Sequence, residues 1–327
     1  MSAFRFIGLT GLLATALCAA SASAETAAPA KTAAPSEVAI PFSRQWDLTS
    51  TANGAIYRIF VSEPVEPAPP GGYPIFYVLD GNGYFGSATE SERLQELGGQ
   101  IRGALIVGIG YPFCTCDPEA GMKAIATRRV TDFTPVAPPD KQAKIARQMG
   151  GAPTGGADAF YRFIEEDLQP RLAATYSVNK NDRALFGHSL GGLFVLDTLF
   201  KHPGAFRSYI AASPVISWGD GEVLRRQPAF AQWLAQSSDP PRILITAGAL
   251  EQTVLPISLP PGVSQDEYAR SIAEMKMVTN VRRLSKDLAR LRSVSGYSAG
   301  LRIFENETHT GVVPAAISAG LSFAFSR

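Results

Sequence analysis

The chain has 327 residues, of which 46% are hydrophobic and 18% are charged, and its formal net charge is +1. This composition is typical of a globular protein with enough chain for a large core, and the length allows one or two domains. The balanced charge, without a basic tract, argues against a nucleic-acid partner, and only three histidines argue against a poly-histidine metal site.

Residues 1–24 have the three parts of a secretory signal peptide. Arg5 provides a positively charged start, residues 6–20 are apolar, and residues 22–24 read Ala-Ser-Ala, so we predict cleavage after Ala24. The apolar run is shorter than a membrane-spanning helix. The chain is therefore predicted to be exported, as a periplasmic or secreted protein.

The segment after the signal peptide is a linker by composition. Residues 25–39 are rich in alanine and proline, which favours disorder. A lipid anchor at Cys18 is not expected, because Leu17 stands where a lipoprotein signal has a small residue. We predict that residues 40–327 form the folded domain and that no stable membrane anchor is present.

From residue 40 onward, apolar runs alternate with helical patterns, which favours an α/β fold with a mostly parallel central sheet and helices on both faces. Runs that are apolar throughout are typical of strands buried on both faces. The predicted strands cover residues 43–50, 55–63, 73–80, 104–111, 183–187, 207–214, 242–249 and 301–307, the first two as an antiparallel pair. The predicted helices cover residues 157–176, with a kink at Pro170, and residues 191–202, 266–293 and 312–325.

Residues 112–155 interrupt this alternation. They are rich in glycine, proline and charge, so we predict a loop with at most short helices, and long loops tend to be functional. Cys114 and Cys116 lie in this loop, and an oxidising compartment would permit a disulfide between them. The alternative is two loop thiols without a catalytic role, and the pair offers too few ligands for a metal site.

The stretch Gly-His-Ser-Leu-Gly at residues 187–191 places Ser189 between a predicted strand and a predicted helix. The pattern alone is weak, because a glycine-rich chain can produce it by chance. The strand–turn–helix context is the one that a nucleophile elbow requires, since the tight turn presents the serine hydroxyl at the sheet edge. Gly187 and Gly191 are needed because side chains there would collide with the crossing strand and helix. Ser189 is therefore the candidate nucleophile.

Two loops are predicted to supply the oxyanion hole. The backbone N–H of Leu190, next after the nucleophile, is the expected first donor. The second is expected from the turn after residues 73–80, where Asn82 is the preferred donor and Gly81 the alternative. An ordinary glycine-rich turn is the competing interpretation of that segment.

A serine nucleophile needs a base, and His309 follows the last predicted strand, as in the Ser–acid–His order of α/β-hydrolases. His188 is expected to pack or to shape the pocket, and His202 to interact with a helix dipole. Glu251, after the strand at 242–249, is the candidate acid that would orient the base.

The acid is left open by the sequence. Glu305 and Glu307 lie close to His309 along the chain and are alternatives to Glu251. The remaining interpretation is a Ser–His dyad without an acid.

Seven stretches together resemble the putative-esterase family of the α/β-hydrolases, over about residues 40–325. They are YVLDGNGYF, RRVTDFTP, FIEEDLQPRLAATY, GHSLGGLFVLDTLF, AASPVISW, TAGALEQ and ENETHTGVVPAAISAGLSF. Within the family the likeness is to exported trilactone siderophore esterases, which hydrolyse enterobactin and its glucosylated forms. The resemblance implies that Ser189 is the nucleophile and His309 the base. Some of these esterases work with a Ser–His dyad, which leaves Glu251 open.

Three further residues are candidate substrate contacts. The family segment Arg-Arg-x-x-Asp places Arg128 and Arg129 near the site, where planar guanidinium groups could bind anionic or catechol groups. The alternative is an arginine that ties the loop to Asp132 or to the sheet edge. Trp218 could stack on an aromatic ring of the substrate, with core packing as the alternative.

The function predicted from the sequence is a serine carboxylester hydrolase for a small-molecule ester, with a catechol siderophore as one candidate substrate. It requires neither a metal nor a cofactor. A proline-rich stretch at residues 256–264 departs from the family pattern at the pocket. An acyltransferase on the same scaffold and a non-catalytic binding protein of the same fold are the competing functions.

Overall fold

An eight-stranded sheet with the order β1-β2-β4-β3-β5-β6-β7-β8 forms the centre of the computed structural model, which describes residues 38–113, 116–255, 259, 263–291 and 294–327. β2 pairs antiparallel with β1 and β4, and the other neighbours are parallel. The strands are β1 (Ser43–Thr49), β2 (Ile56–Ser62), β3 (Tyr73–Leu79), β4 (Leu105–Gly110), β5 (Val178–His188), β6 (Ser208–Ala212), β7 (Arg242–Gly248) and β8 (Ser298–Phe304). The prediction of a mostly parallel α/β sheet is confirmed.

The central strands are buried on both faces, as their continuous apolar sequences predict. Every residue of β3 and β4 is buried. Along β3, Ile75 and Tyr77 pack into one apolar cluster, whereas Phe76 and Val78 pack into a second cluster on the opposite face. Two cores therefore hold the sheet between layers of helices.

The helices are α1 (Gly81–Leu97), α2 (Pro118–Phe133), α3 (Gln142–Gln148), α4 (Ala157–Arg162), α5 (Gln169–Thr175), α6 (Leu190–Lys201), α7 (Gln227–Leu234), α8 (Gln265–Met275), α9 (Met277–Ala289) and α10 (Val313–Phe325). α1 and α10 cover the face of Phe76, while α4, α6 and α9 cover the face of Tyr77. Between α4 and α5 the helix continues through a π-helical stretch, Phe163–Leu168, and Pro170 follows this stretch directly, at the second residue of α5.

The expectation of at most short helices in residues 112–155 is wrong, because α2 has 16 residues. Asp117 caps this helix by accepting a hydrogen bond from the Ala120 N–H at 3.0 Å, and Pro118 stands in its first turn. Only Asp132 and Phe133 of α2 are buried. A helix that buries so little shows no apolar periodicity, which is why the pattern does not reveal it.

The predicted helical region at 266–293 is two helices. Lys276, between α8 and α9, has a left-handed backbone conformation with φ of 47°, which ends the first helix and starts the second. Residues 292–293 lie outside the described residues, as does most of the proline-rich stretch at 256–264.

Residues Ile40–Arg327 form one compact unit. Residues 1–37 are outside the described residues, so the signal peptide and the linker stay predictions. Cys116 is disulfide-bonded, and Cys114 lies outside the described residues. Within the described part of the chain, no helix has the length and apolarity to cross a membrane.

Candidate active site

Ser189 occupies a strained turn between β5 and α6. Its φ of 60° and ψ of −116° lie outside the regions that non-glycine residues normally adopt. The turn is held because the Ser189 N–H donates to the Ala212 carbonyl at 3.0 Å and the Leu193 N–H donates to the Ser189 carbonyl at 3.0 Å. A Cβ at Gly187 would lie 2.3 Å from the Gly191 carbonyl oxygen, so only glycine permits this close crossing.

The structure brings Ser189, His309 and Glu251 into one hydrogen-bonded chain. The Ser189 Oγ lies 3.0 Å from His309 Nε2, and His309 Nδ1 lies 2.8 Å from Glu251 Oε2. The three side chains come from separate elements: the β5–α6 turn, the loop between β8 and α10, and the turn after β7. A serine, an imidazole and a carboxylate in this relation can transfer the serine proton to the imidazole and stabilise the resulting imidazolium.

Glu251 is buried and fixed by two donors in addition to His309. Its Oε1 accepts hydrogen bonds from the Gly248 N–H at 2.6 Å and from the Ser213 hydroxyl at 2.5 Å. Its side chain is 1% exposed. A carboxylate with its lone pairs occupied in this way keeps a single orientation towards the imidazole.

The acid turn and the histidine loop are joined through the backbone of Glu307. The Leu250 N–H donates to the Glu307 carbonyl at 3.0 Å, and a Cβ at Gly248 would lie 2.3 Å from the same oxygen. The side chains of Glu305 and Glu307, the two alternative acids, make no hydrogen bond to His309 among the described residues. Glu251 is therefore the carboxylate that the fold places against the base.

The predicted oxyanion donors lie at the starts of two neighbouring helices. α1 begins at Gly81 after β3, and α6 begins at Leu190 after β5, while β3 and β5 are parallel neighbours in the sheet. The first N–H groups of a helix have no intrahelical acceptor and carry the positive end of the helix dipole. Both helices therefore direct N–H groups to the same edge of the sheet as Ser189.

The side chain of Asn82 secures the start of α1. Its Nδ2 donates to the Tyr111 carbonyl at 2.9 Å, and its Oδ1 accepts from the Tyr111 N–H at 2.7 Å. These two hydrogen bonds occupy the side chain of Asn82. The backbone N–H is therefore the group through which Asn82 could act on a substrate.

Arg128 and Arg129 are both engaged within the protein. Arg129 makes a two-pronged ion pair with Asp80, with Nε–Oδ1 and Nη2–Oδ2 distances of 2.8 and 2.9 Å. Arg128 donates to the Ile56 carbonyl at 2.6 Å. Its guanidinium lies 4.9 and 4.7 Å from the ring centroids of Tyr57 and Tyr111.

These contacts favour the interpretation that both arginines tie parts of the protein together over the interpretation that they bind substrate. The acidic partner differs from the predicted one. The partner of Arg129 is Asp80, at the start of α1, rather than Asp132. Burial raises the pKa of Asp132 to about 6. Trp218 is 4% exposed and belongs to the core, which favours packing over stacking on a substrate.

The other two histidines differ in their surroundings. His202 follows α6 and stacks on Tyr161, with 3.9 Å between ring centroids. His188 is buried between Tyr84 and His309. Ser213, which contacts Glu251, and Tyr84, which contacts His188, are not singled out by the sequence pattern. The sequence signal is that Ser213 directly follows the central strand β6 and that Tyr84 lies in the first turn of α1, the helix after β3.

Among the described residues, no group of three or more His, Cys, Asp or Glu side chains could hold a metal ion. The sheet order and the strained serine turn between a buried strand and a helix define the α/β-hydrolase fold. The chain matches the family described as "Putative esterase" over residues 115–298, and it belongs to this family. The family resemblance predicted from the sequence is confirmed.

Curated relatives and a solved structure agree with this membership. The chain is 37% identical to the ferri-bacillibactin esterase BesA of Bacillus subtilis, over 87% of this chain and 90% of that protein. It is 33% identical to the siderophore triacetylfusarinine C esterase of Aspergillus fumigatus, over 88% and 94% respectively. The siderophore hydrolase EstB of Aspergillus nidulans superimposes with a TM-score of 0.74 at 29% identity, over 89% of this chain and 97% of that one. The chain is thus an esterase-family member over nearly the full length of its relatives.

Proposed function

We propose that this protein is a serine carboxylester hydrolase that works through an acyl-enzyme on Ser189. The observation that carries the proposal is the unbroken hydrogen-bonded chain from Ser189 through His309 to Glu251, with distances of 3.0 and 2.8 Å. Ser189 lies at the sheet edge where two helices begin. The first N–H groups of these helices can donate hydrogen bonds to the negative charge that develops on the substrate.

In the acylation half-reaction, the Ser189 Oγ attacks the ester carbonyl carbon while His309 Nε2 takes the hydroxyl proton. The carbonyl oxygen becomes an oxyanion, which accepts hydrogen bonds from the Leu190 N–H and from the first N–H groups of α1, at Gly81 or Asn82. When the tetrahedral intermediate collapses, the carbon–oxygen bond to the alcohol breaks and His309 returns its proton to the leaving oxygen.

In the deacylation half-reaction, water replaces the alcohol. His309 takes a proton from the water as its oxygen attacks the acyl-enzyme carbonyl, and the carboxylic acid leaves as Ser189 regains its proton. Glu251 accepts the His309 Nδ1–H throughout, which fixes the tautomer and stabilises the imidazolium in both halves.

We propose siderophore esters as the substrate class. Two full-length relatives above 30% identity are named for siderophore-type compounds, ferri-bacillibactin and triacetylfusarinine C. Enterobactin, the trilactone that the sequence resemblance suggested, is a further candidate substrate. A site that opens an ester in a large ligand must be reachable from solvent, and both Ser189 and the His309 side chain are partly exposed.

The test compares residues 25–327 with the same chain carrying Ser189→Ala. Each is incubated with a short nitrophenyl ester, bacillibactin, triacetylfusarinine C and enterobactin, and the products are followed by mass spectrometry. We expect hydrolysis of the nitrophenyl ester and of at least one siderophore by the first protein and of none by the second. Cleavage of the nitrophenyl ester alone would overturn the substrate class and leave the mechanism standing.

Two other results would replace the proposed function. Transfer of the acyl group to an added alcohol or sugar in preference to water would make the protein an acyltransferase. Ligand binding without turnover, together with no labelling of Ser189 by a serine-reactive phosphonate, would make it a binding protein.

We also propose that the protein acts outside the cytoplasm, on the basis of the signal-peptide pattern of residues 1–24. N-terminal sequencing of the protein from its native host should then begin at Glu25. A chain that keeps Met1 would contradict export by this signal.

A further inference from the structure

His188 lies directly behind the proposed base. It precedes Ser189 in the chain, is 2% exposed, and its ring centroid lies 4.6 Å from that of His309, with the planes tilted by 42°. The two imidazoles are therefore in van der Waals contact. The mechanism proposed above gives His188 no role.

Tyr84, in the first turn of α1, fixes the ring of His188. The Tyr84 hydroxyl lies 3.1 Å from His188 Nδ1, and the two rings meet edge to face with 6.0 Å between centroids. Burial raises the pKa of Tyr84 to about 12, so the phenol keeps its proton and can donate it to Nδ1. His188 Nε2 then carries the ring proton.

The surroundings of His188 keep its ring uncharged. Burial, with the nearby His309 and Arg129, lowers the pKa of His188 to about 3. A hydrogen bond with the His309 backbone raises this pKa but is outweighed. Asp80, whose charge acts on Tyr84, forms an ion pair with Arg129. A neutral ring beside His309 does not repel the imidazolium that forms during ester hydrolysis.

The hydrogen bonds that orient the His309 ring lie at its two nitrogen atoms. Glu251 holds Nδ1 and Ser189 lies at Nε2, while the side chain is 39% exposed. The hydrogen bond at Nε2 is lost when the Ser189 oxygen bonds to the substrate carbon, and the ring can then turn about its Cβ–Cγ bond. The face of His188 restricts that rotation, and a small misplacement of a proton-transfer group can cost a large factor in rate.

We infer that His188 and Tyr84 are positioning residues that hold the His309 ring in line with the Ser189 hydroxyl, with Tyr84 fixing His188 and His188 fixing His309. The inference rests on the proposed serine mechanism and adds two residues to it. The competing explanation is that His188 is a core histidine whose hydrogen bond to Tyr84 serves stability alone.

The test uses Tyr84→Phe, which removes one hydroxyl, together with His188→Phe and the double variant. Tyr161→Phe is the matched control, because Tyr161 contacts another histidine, His202, away from the triad. We measure kcat and KM with a short nitrophenyl ester and record ring ¹⁵N spectra of protein labelled at its three histidines.

If the inference is right, Tyr84→Phe lowers kcat about tenfold with an unchanged KM. The double variant is then no slower than His188→Phe, because both changes break the same contact chain. In the spectra, wild-type His188 stays neutral with its proton on Nε2, and Tyr84→Phe alters the ring signals of both His188 and His309. Tyr161→Phe alters only the signals of His202 and leaves kcat unchanged.

A kcat of Tyr84→Phe within twofold of the wild type, or His309 signals that do not change in that variant, would overturn the inference. If His188→Phe does not fold, the single hydroxyl deletion still decides the question. Ser189→Ala, assayed in parallel, distinguishes failure of the serine mechanism from failure of the positioning role. Wild-type turnover by this variant would overturn the proposed mechanism. An inactive Ser189→Ala with an unaffected Tyr84→Phe would overturn the positioning role alone.

Discussion

At the scale of single residues, the surroundings of Glu251 favour a triad over a dyad. Its carboxylate is buried, lies 2.8 Å from His309 Nδ1, and accepts two further hydrogen bonds. A buried carboxylate whose donors converge in this way is built to orient the imidazole.

Glu251→Gln keeps the size of the side chain but lets an amide face Nδ1, which favours the wrong tautomer of His309. We expect kcat to fall by roughly a hundredfold to ten-thousandfold, with little change in KM. Steady-state kinetics with a nitrophenyl ester measures this. Glu305→Gln and Glu307→Gln serve as controls and should stay close to wild type. A loss below about tenfold for Glu251→Gln would indicate a dyad.

Ser213 supports the acid from a strained position. It is fully buried, has a φ of 44°, and donates its hydroxyl proton to Glu251. Ser213→Ala keeps the strain and removes the donor, while Ser213→Gly removes both. We expect both variants to lose activity to a similar extent. In urea denaturation, the free energy of unfolding of the glycine variant should exceed that of the alanine variant by about 1 kcal/mol. Wild-type activity in Ser213→Gly would show that the hydroxyl is dispensable.

At the scale of elements, the acid turn depends on its attachment to α9. Lys276 precedes this helix in a left-handed conformation and supplies no side-chain cap. The side chain of Gln252, in the turn after β7, caps α9 instead. Its Oε1 accepts from the Thr279 N–H at 2.7 Å, and its Nε2 donates to the Thr279 hydroxyl at 3.0 Å. One side chain thus caps a helix and anchors the turn that carries Glu251.

Gln252→Ala removes this cap and should lower the free energy of unfolding by about 1 kcal/mol. Gln252→Glu retains an acceptor for the Thr279 N–H and adds a charge that the helix start favours, so it should remain within about 0.5 kcal/mol of wild type. Urea denaturation compares the three proteins. Equal destabilisation by both substitutions would contradict a capping role.

The elements also show how far the sequence could lead. The buried strands and the β5–α6 turn were predictable because continuous apolar runs and a glycine-flanked serine leave local marks. α1 and α2 were not, since α1 buries polar residues such as Glu92 and Glu96, and α2 buries almost nothing. The approach of Ser213 and Tyr84 to the site depends on strand order, which no local pattern contains.

At the scale of the whole molecule, a buried carboxylate links stability to pH. Glu92 on α1 is 1% exposed and accepts a hydrogen bond from the Ala104 N–H at 3.0 Å. Burial raises its pKa from 4.5 to about 7. The folded protein therefore binds this proton more tightly than the unfolded chain does. The contribution of Glu92 is most favourable below pH 4.5, is lost as the pH rises to about 7, and is constant above that.

Glu92→Gln keeps the acceptor for Ala104 and removes the ionisation. We expect the variant to match the wild type near pH 4.5 and to exceed it at pH 8 by roughly 3 kcal/mol in free energy of unfolding. Urea titrations between these pH values provide the difference. Glu90→Gln, on the exposed side of the same helix, is the matched control. A difference that does not grow with pH would contradict the assignment.

Under the proposed mechanism, every turnover passes through a covalent acyl-enzyme on Ser189. The most direct measurement is to quench the mature protein with acid during turnover of a slowly deacylating nitrophenyl ester and to locate the added acyl group by peptide mass spectrometry. We expect the acyl group on the Ser189 hydroxyl, and no acylated peptide from Ser189→Ala. An acyl group on another residue, or continued turnover by Ser189→Ala, would contradict it.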